Sequence, residues 1–313
     1  MQNRVVEISS DGIHLSLKRG FLKLSCGSDI VGEVALPDIG SVIVRGYGAS
    51  ISLNLVASLA ERNIPVVLCG TNQLPSSIVW PVSGHHAQSA IIEAQSGLSL
   101  PRKKQIWKEI IQSKIRAQAQ VLQAFKDPAD DLSAMADRVK SGDVENLEAQ
   151  ASRKYWTRMM GRLEERFRRS RTDDGVNAAL NYGYTVLRAA AARSILSAGL
   201  HPAFSVHHVS RGEAFRLADD LMEPFRPLVD LTVRRIFEAR SPEAVTDDLS
   251  IADKNKLVEV LSLDLIGPYG ASPVQTCLDR LCQSLANICL GTARKPELPS
   301  GLVFKASIEE GAN

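Results

Sequence analysis

The stretch IHLSLKRGFLKLSC, residues 13–26, alternates apolar and polar residues on either side of a basic, glycine-containing break. That period of two belongs to half-buried strands. The runs around it read the same way: RVVEIS at 4–9, EVALP at 33–37 and SVIVRG at 41–46 are separated by the turn signals SSDG, CGSD and PDIG. The pattern predicts antiparallel strands and hairpins in an all-β unit. Outward from it, ASISLNLVASLAERN (49–63) reads as one amphipathic helix and IPVVLCG (64–70) as a short apolar strand. The small domain is expected to close near Trp80 and Pro81, giving a β-rich, sandwich-like domain over 1–82 and a Ser-, Gly- and His-containing linker over 83–100.

Beyond Pro101, well placed at a helix start, the periodicity changes to three and four. RKKQIWKEIIQSKIRAQAQVLQAF begins a series of helical segments, with others expected at about 144–171, 174–198, 211–240 and 250–291. Ser250 three residues before Asp253 is a helix-start signal. The expectation is an α+β protein: the β-rich domain, then a larger all-α domain over 101–295. A mobile tail is predicted over 296–313, where periodicity is lost.

With 313 residues, 44% apolar and 23% charged, the composition excludes a disordered chain. No segment is long and apolar enough to span a bilayer. Five cysteines without a C-x-x-C pair and a start, MQNRVVEIS, lacking an apolar signal core predict a reduced, cytoplasmic protein. A net charge of +2 does not by itself announce nucleic acid, so any such surface must come from local clustering.

LADDLMEPFRPLVD, residues 217–230, places Asp219, Asp220 and Glu223 in an apolar helical pattern and closes them with Pro224. On a helix Glu223 shares a face with both aspartates, and like charges so placed repel. Pro224 predicts a kink or end beside Glu223. A solvated acidic helix end paired with Arg216 or Arg226 is the simplest account. The flanking Leu217, Leu221, Met222 and Phe225 instead imply partial burial, and buried carboxylates need a cation or hydrogen bonds. His208, fifteen residues earlier, and Glu148 in VENLEAQASRKYW are candidate co-ligands of a divalent ion, although each alone would pass for an ordinary surface or core residue.

Taken together and in order, NLEAQASRKYW, DDGVNAALNYGYTVLRA, GLHPAFSVHH and AFRLADDLMEPFRPLVD resemble the signature blocks of the CRISPR-associated spacer-acquisition integrase family. The β-rich opening, PDIGSVIV and ERNIPVVLC resemble that family's amino-terminal domain. The resemblance implies a metal-dependent DNA endonuclease and integrase that inserts short foreign fragments into a repeat array by 3′-hydroxyl attack on a phosphodiester. It also implies a homodimer, with a second small CRISPR-associated protein bridging two dimers on double-stranded DNA. By the same resemblance Glu148, His208 and Glu223 are the catalytic metal ligands, for Mg²⁺ or Mn²⁺, and Asp220 is an accessory acid beside them. His207 competes with His208 for the histidine position. The wording ADDLMEPFRP leans toward the branch that accompanies single-protein RNA-guided effectors.

One imidazole and two carboxylates suit Mg²⁺ or Mn²⁺ and leave room for water and a phosphate oxygen. Tyr155, Tyr182 and Tyr184 are rivals for a covalent role, weighed against packing. For DNA, Lys154, Arg158, Arg162 and Arg166 recur every four residues and would form one basic helical stripe, set against a merely solvated face. Arg102, Lys103, Lys104 and Lys108 form a weaker second cluster. A small-molecule metal phosphoesterase and a catalytically silent DNA-binding scaffold are the alternative functions.

Overall fold

A computed structural model of the chain describes residues 4–70, 75–79, 81, 85–161, 163, 167–170, 175–209, 215–240 and 249–302. The quoted stretch is a hairpin: β2 (His14–Lys18) pairs antiparallel with β3 (Phe21–Cys26), and β3 with β4 (Asp29–Ala35). β6 (Ser50–Ile51) adds to the other side of β2 to complete one four-stranded sheet. A second sheet has the order β1 (Arg4–Ile8), β5 (Ile39–Val44), β7 (Val66–Cys69) and β8 (Pro75–Val79). Leu15, Leu22, Val42, Leu55, Leu59 and Val66 share the buried core of this domain.

The all-antiparallel expectation fails in both sheets: β6 pairs β2 in parallel in the first, and in the second β1 pairs β5 and β5 pairs β7 in parallel. Parallel neighbours need a crossover. The β2–β4 excursion supplies one, and α1 (Leu53–Ala60), capped by Ser52 Oγ accepting from the Leu55 amide, supplies the other. From the helical domain to the second sheet, Tyr182 donates to Glu7 Oε2 at 2.5 Å, and Arg45, after β5, pairs with the same Glu7 at 3.2 Å.

The expected linker holds a helix, α2 (Gln88–Ser96), missed because its buried face is short and includes a glutamine: only Ile91 and Gln95 are buried. Gln95 is nonetheless a clamp. Its Nε2 donates to the carbonyls of His201 and Phe204 at 3.0 and 2.9 Å, and its Oε1 accepts from the His201 amide at 2.8 Å. These bonds fix the loop that leads to His208.

α3 (Leu100–Ala124) lies against α4 (Asp130–Arg138), α5 (Leu147–Met160) and α8 (Arg226–Glu238). α6 (Val176–Ser197) runs through the middle, packed on α7 (Arg216–Leu221), α8, α9 (Ile251–Glu259), α10 (Val274–Cys289) and β5. Gly183 of α6 sets the spacing to α8, since a Cβ there would lie 2.4 Å from Val229 Cγ1. Gly183→Ala is therefore expected to cost about 1–3 kcal/mol by overpacking, measured by chemical denaturation.

The helical domain also contains strands. Ser250 starts α9 with a full capping box to Asp253, as its spacing predicts, but the segment to 291 is not one helix. Gly267-Pro268-Tyr269-Gly270 turns between β9 (Asp264–Gly267) and β10 (Gly270–Pro273). β11 (Gly301–Leu302) pairs with the other edge of β9. Residues 299–302 therefore follow α3, with Gln120 bonding Ser300 O and the Leu302 amide. Residues 299–302, within the predicted mobile tail, are thus held against α3 and β9, and residues 303–313 lie outside the described residues. Among the described residues no helix is long and apolar enough to cross a membrane.

Candidate metal centre

The helix predicted to break beside Glu223 does so. α7 ends at Leu221, a 3₁₀ turn covers Glu223–Phe225, and α8 restarts at Arg226. Pro224 removes one amide donor and disfavours continued α geometry in the residue before it. The kink turns Glu223, 4% exposed, inward. Its Oε1 meets Arg226 Nε at 3.1 Å and its Oε2 meets Lys114 Nζ at 2.6 Å.

Glu148 approaches from the first turn of α5, where the helix dipole favours a carboxylate. The start of α5 is pinned by Asp143, whose two oxygens accept from the amides of Leu147 and Glu148 at 2.9 and 3.0 Å. Asp143→Ala should cost about 1–2 kcal/mol, the value of a lost helix cap, and loosen Glu148. Thermal melting and Mn²⁺ affinity measured together test both halves. Glu148 Oε1 lies 2.6 Å from Lys114 Nζ, so a single ammonium bridges the two predicted carboxylates. Burial pushes the Lys114 ammonium down, but Glu223 and Glu148 outweigh it and hold it above the ordinary lysine value. Burial likewise raises Glu223, and Arg226 and Lys114 overcome it to leave the carboxyl below its usual range.

His208 comes from the loop before α7. Its Nδ1 lies 2.6 Å from Asp220 Oδ1, and that hydrogen bond, opposed by partial burial, raises the imidazole above its ordinary value. Glu223 and His208 are near enough for each to bias the other's ionisation. Asp220, fully buried, also accepts from the amides of Val206, His207 and His208 at 2.6, 3.0 and 3.2 Å. One carboxylate thus folds the whole loop and fixes the imidazole through Nδ1, leaving Nε2 as the outward nitrogen.

The competitor His207 stacks on buried Trp107 at 4.2 Å and 5°, and His208 meets the same indole edge-on at 5.8 Å. Asp219 points away and pairs with Arg188 at 2.7 Å. Tyr155 and Tyr184 both donate to Asp230, whose carboxyl burial pushes up to about 6 against those two bonds. With Tyr182 bound to Glu7, all three tyrosines are committed to structure.

Among the described residues no three His, Cys, Asp or Glu side chains already surround one point. Glu148 and Glu223 instead meet on Lys114. Two carboxylates on one cation, with an imidazole held beside them by a buried acid, is a donor set that fits a hard or borderline divalent ion. Sequence reasoning missed Lys114 and Asp143. The signal for Lys114 was its position, three and four residues after Ile111 and Ile110 and four before Gln118, all on the buried face of α3.

Of the basic stripe, Lys154 and Arg158 lie on α5. α5 ends at Met160, so the predicted helix to 171 stops short, with Gly161 as its cap. Lys154 and Arg158 both turn to Asp131, at 2.9 and 2.6 Å, and pin α5 to α4. Arg162 and Arg166 lie outside the described residues. Arg169 bonds Asn177 and Asn181. Arg102 and Lys108 of the second cluster instead face a cleft. A cleft of about 340 Å³ is lined by Arg102, Lys108, Arg294 and Lys295. Arg102 there bonds the carbonyls of Ala293 and Arg294 rather than a carboxylate.

A profile of the family "CRISPR associated protein Cas1" matches residues 6–250. The chain is 34% identical over 301 residues to "CRISPR-associated endonuclease Cas1" of Neisseria meningitidis serogroup C (strain 8013), covering 94% of this chain and 95% of the relative. Its fold is similar to that of a "Casposase bound to integration product", with TM-score 0.76 at 20% identity over 94% of this chain and 92% of that one. It is also similar to a chain of a "Cas6-RT-Cas1--Cas2 complex", with TM-score 0.75 at 18% identity over 97% of this chain and 36% of that one. With the profile spanning most of its length and the Neisseria relative aligned nearly end to end, the chain belongs to the CRISPR-associated protein Cas1 family.

Proposed function

We propose that the chain is a divalent-metal-dependent DNA endonuclease and integrase that joins short DNA fragments into a CRISPR repeat array. The observation that carries this is the meeting of Glu148 and Glu223 on one cation beside His208. Glu148, Glu223 and His208 Nε2 would hold Mg²⁺ or Mn²⁺, and Asp220 would orient the imidazole. Such an ion would supply positive charge to a phosphate oxygen during in-line displacement of a phosphodiester by a DNA 3′-hydroxyl or water. Glu148 and Glu223 fix the position of that charge, and the half-buried Arg226, with Lys114, keeps Glu223 ionised. No protein nucleophile is needed, in keeping with the committed tyrosines.

Joined product from a short duplex with free 3′-hydroxyls, a supercoiled repeat-bearing plasmid and Mn²⁺, with and without the small partner protein, is the expected result. Phosphate release from a generic ester would select a phosphoesterase instead, and a mobility shift without chemistry would select a scaffold.

The basic cleft is proposed as the main DNA track, with Lys154 and Arg158 of α5, and Arg162 and Arg166 outside the described residues, in a lesser part. Lys108→Glu with Lys295→Glu should weaken DNA binding and lower the slope of log affinity against log salt by about 1–2, because each lost phosphate contact removes roughly 0.9 from that slope. Reversal of Lys154 and Arg158 should act mainly on stability, through Asp131. A salt titration of both pairs, with melting curves, separates the two faces.

The homodimer is proposed to form through the amino-terminal domain, and the small partner protein to bridge two dimers. β4 is an edge strand of its sheet and exposes Ile30 and Val31, at 54% and 56%, the type of edge that invites pairing. Val31→Lys should convert the dimer to monomer in sedimentation velocity. A cytoplasmic location completes the proposal.

A further inference from the structure

Lys114 stands in the apolar stripe of α3 between Ile110 and Ile111 on one side and Gln118 on the other, with its side chain 11% exposed. A lysine so buried is retained only where charge meets it. Its Nζ lies 2.6 Å from Glu148 Oε1 and 2.6 Å from Glu223 Oε2, so it touches both carboxylates that the proposed function gives to the metal. We propose that Lys114 is the resident counter-cation of the metal centre: it holds Glu148 and Glu223 together while no divalent ion is bound, and a divalent ion binds by displacing it. This rests on the metal-centre reading above.

An ion shared by those two oxygens would sit where the ammonium sits, and two cations cannot occupy one point between the same acids. Arg226 does not compete in this way. It takes the other oxygen of Glu223, at 3.1 Å, and its guanidinium lies over the Tyr184 ring at 4.8 Å. Glu148 and Glu223 carry two negative charges and Lys114 and Arg226 two positive ones, so the four form a neutral set without any metal. Lysine suits the exchangeable place. Its ammonium is a compact charge on a flexible stem that leaves by rotation, whereas a planar, stacked guanidinium does not. The arrangement keeps two mutually repelling carboxylates close in the absence of metal, at the expense of metal affinity. The displaced ammonium stays tethered beside the site, free to meet a phosphate oxygen of the DNA.

The test is Mn²⁺ binding to the full chain at one fixed pH, followed by the loss of the free-ion electron paramagnetic resonance signal. Lys114→Met keeps the apolar stem and removes the charge. It is expected to bind Mn²⁺ roughly tenfold tighter than the parent, as expected when a competing charge is lost, and to gain more in melting temperature on adding Mn²⁺ than the parent does. Affinity equal to or weaker than the parent would overturn the proposal, since a merely structural lysine would loosen the site on removal. Glu148→Gln is the control for the underlying reading. If it leaves Mn²⁺ affinity intact, the metal centre itself is misassigned; if it weakens binding while Lys114→Met fails to tighten it, only the role of Lys114 falls. Should Lys114→Met not fold, acylation of Lys114 in the parent, followed by peptide mass spectrometry, decides the matter. Labelling should rise several-fold when Mn²⁺ is added, and no rise would overturn displacement.

Discussion

Replacing Glu148 or His208 by alanine is expected to reduce strand transfer in Mn²⁺ by at least about 100-fold, the upper end of what loss of even an outer-shell metal partner costs. Stability should change little in either case. Glu148 is 26% exposed at its side chain, and its removal leaves Lys114 still paired with Glu223. His208 is 40% exposed, and its removal leaves Asp220 with three backbone donors. Melting temperatures should therefore stay within about 4 °C of the parent, the shift that 1 kcal/mol produces in a chain of this size. His207→Ala should behave in the opposite way, keeping most activity while losing about 1 kcal/mol with its stack on Trp107. Equal activity loss from the two histidines would mean that the wrong one has been given to the metal.

Asp220→Ala should be the most damaging single change at the site for stability. The carboxylate is fully buried and accepts from three consecutive backbone amides and from His208. Truncation orphans those donors together, for a cost of about 3 kcal/mol or more. Strand transfer should fall with it, by roughly 10–100-fold at a temperature where the variant remains folded, because His208 loses the group that orients it. Asp220→Asn, which keeps one acceptor oxygen, should lie between the two. Denaturant titration and Mn²⁺ binding on the same samples make the check. A variant as stable as the parent, with unaltered Mn²⁺ affinity, would show that Asp220 does not build the loop.

The order of elements was legible in the text of the chain because period and punctuation agree there: the 13–26 alternation became a hairpin, and Pro224 broke the helix where its chemistry demands. Parallel pairing of β1, β5 and β7 was not legible, since strand direction depends on where crossovers return and no local residue records that. α2 was hidden because Gln95, its most consequential residue, works through its amide rather than through an apolar face. At the site, the resemblance named the acids, and its spacing, with Asp220 twelve and Glu223 fifteen residues on, favoured His208 over His207. What spacing could not show is that the His208 ring bonds Asp220 while the His207 ring stacks on Trp107. Four-residue spacing from Lys154 onward could not show that α5 ends at Met160, nor that Asp131, more than twenty residues earlier, pairs with both Lys154 and Arg158. Lys114 and Asp143 were legible in principle: a lysine on the core face of an apolar helix and an aspartate just ahead of a helix start each had a reason to be there.

Anomalous diffraction at the manganese edge, from crystals of the full chain grown with Mn²⁺, tests the central claim most directly. A single anomalous peak coordinated by Glu148, Glu223 and His208 Nε2, with Lys114 Nζ withdrawn from between the two carboxylates, is the predicted result. A peak that engages neither glutamate, or manganese bound while Lys114 still bridges Glu148 and Glu223, would contradict it.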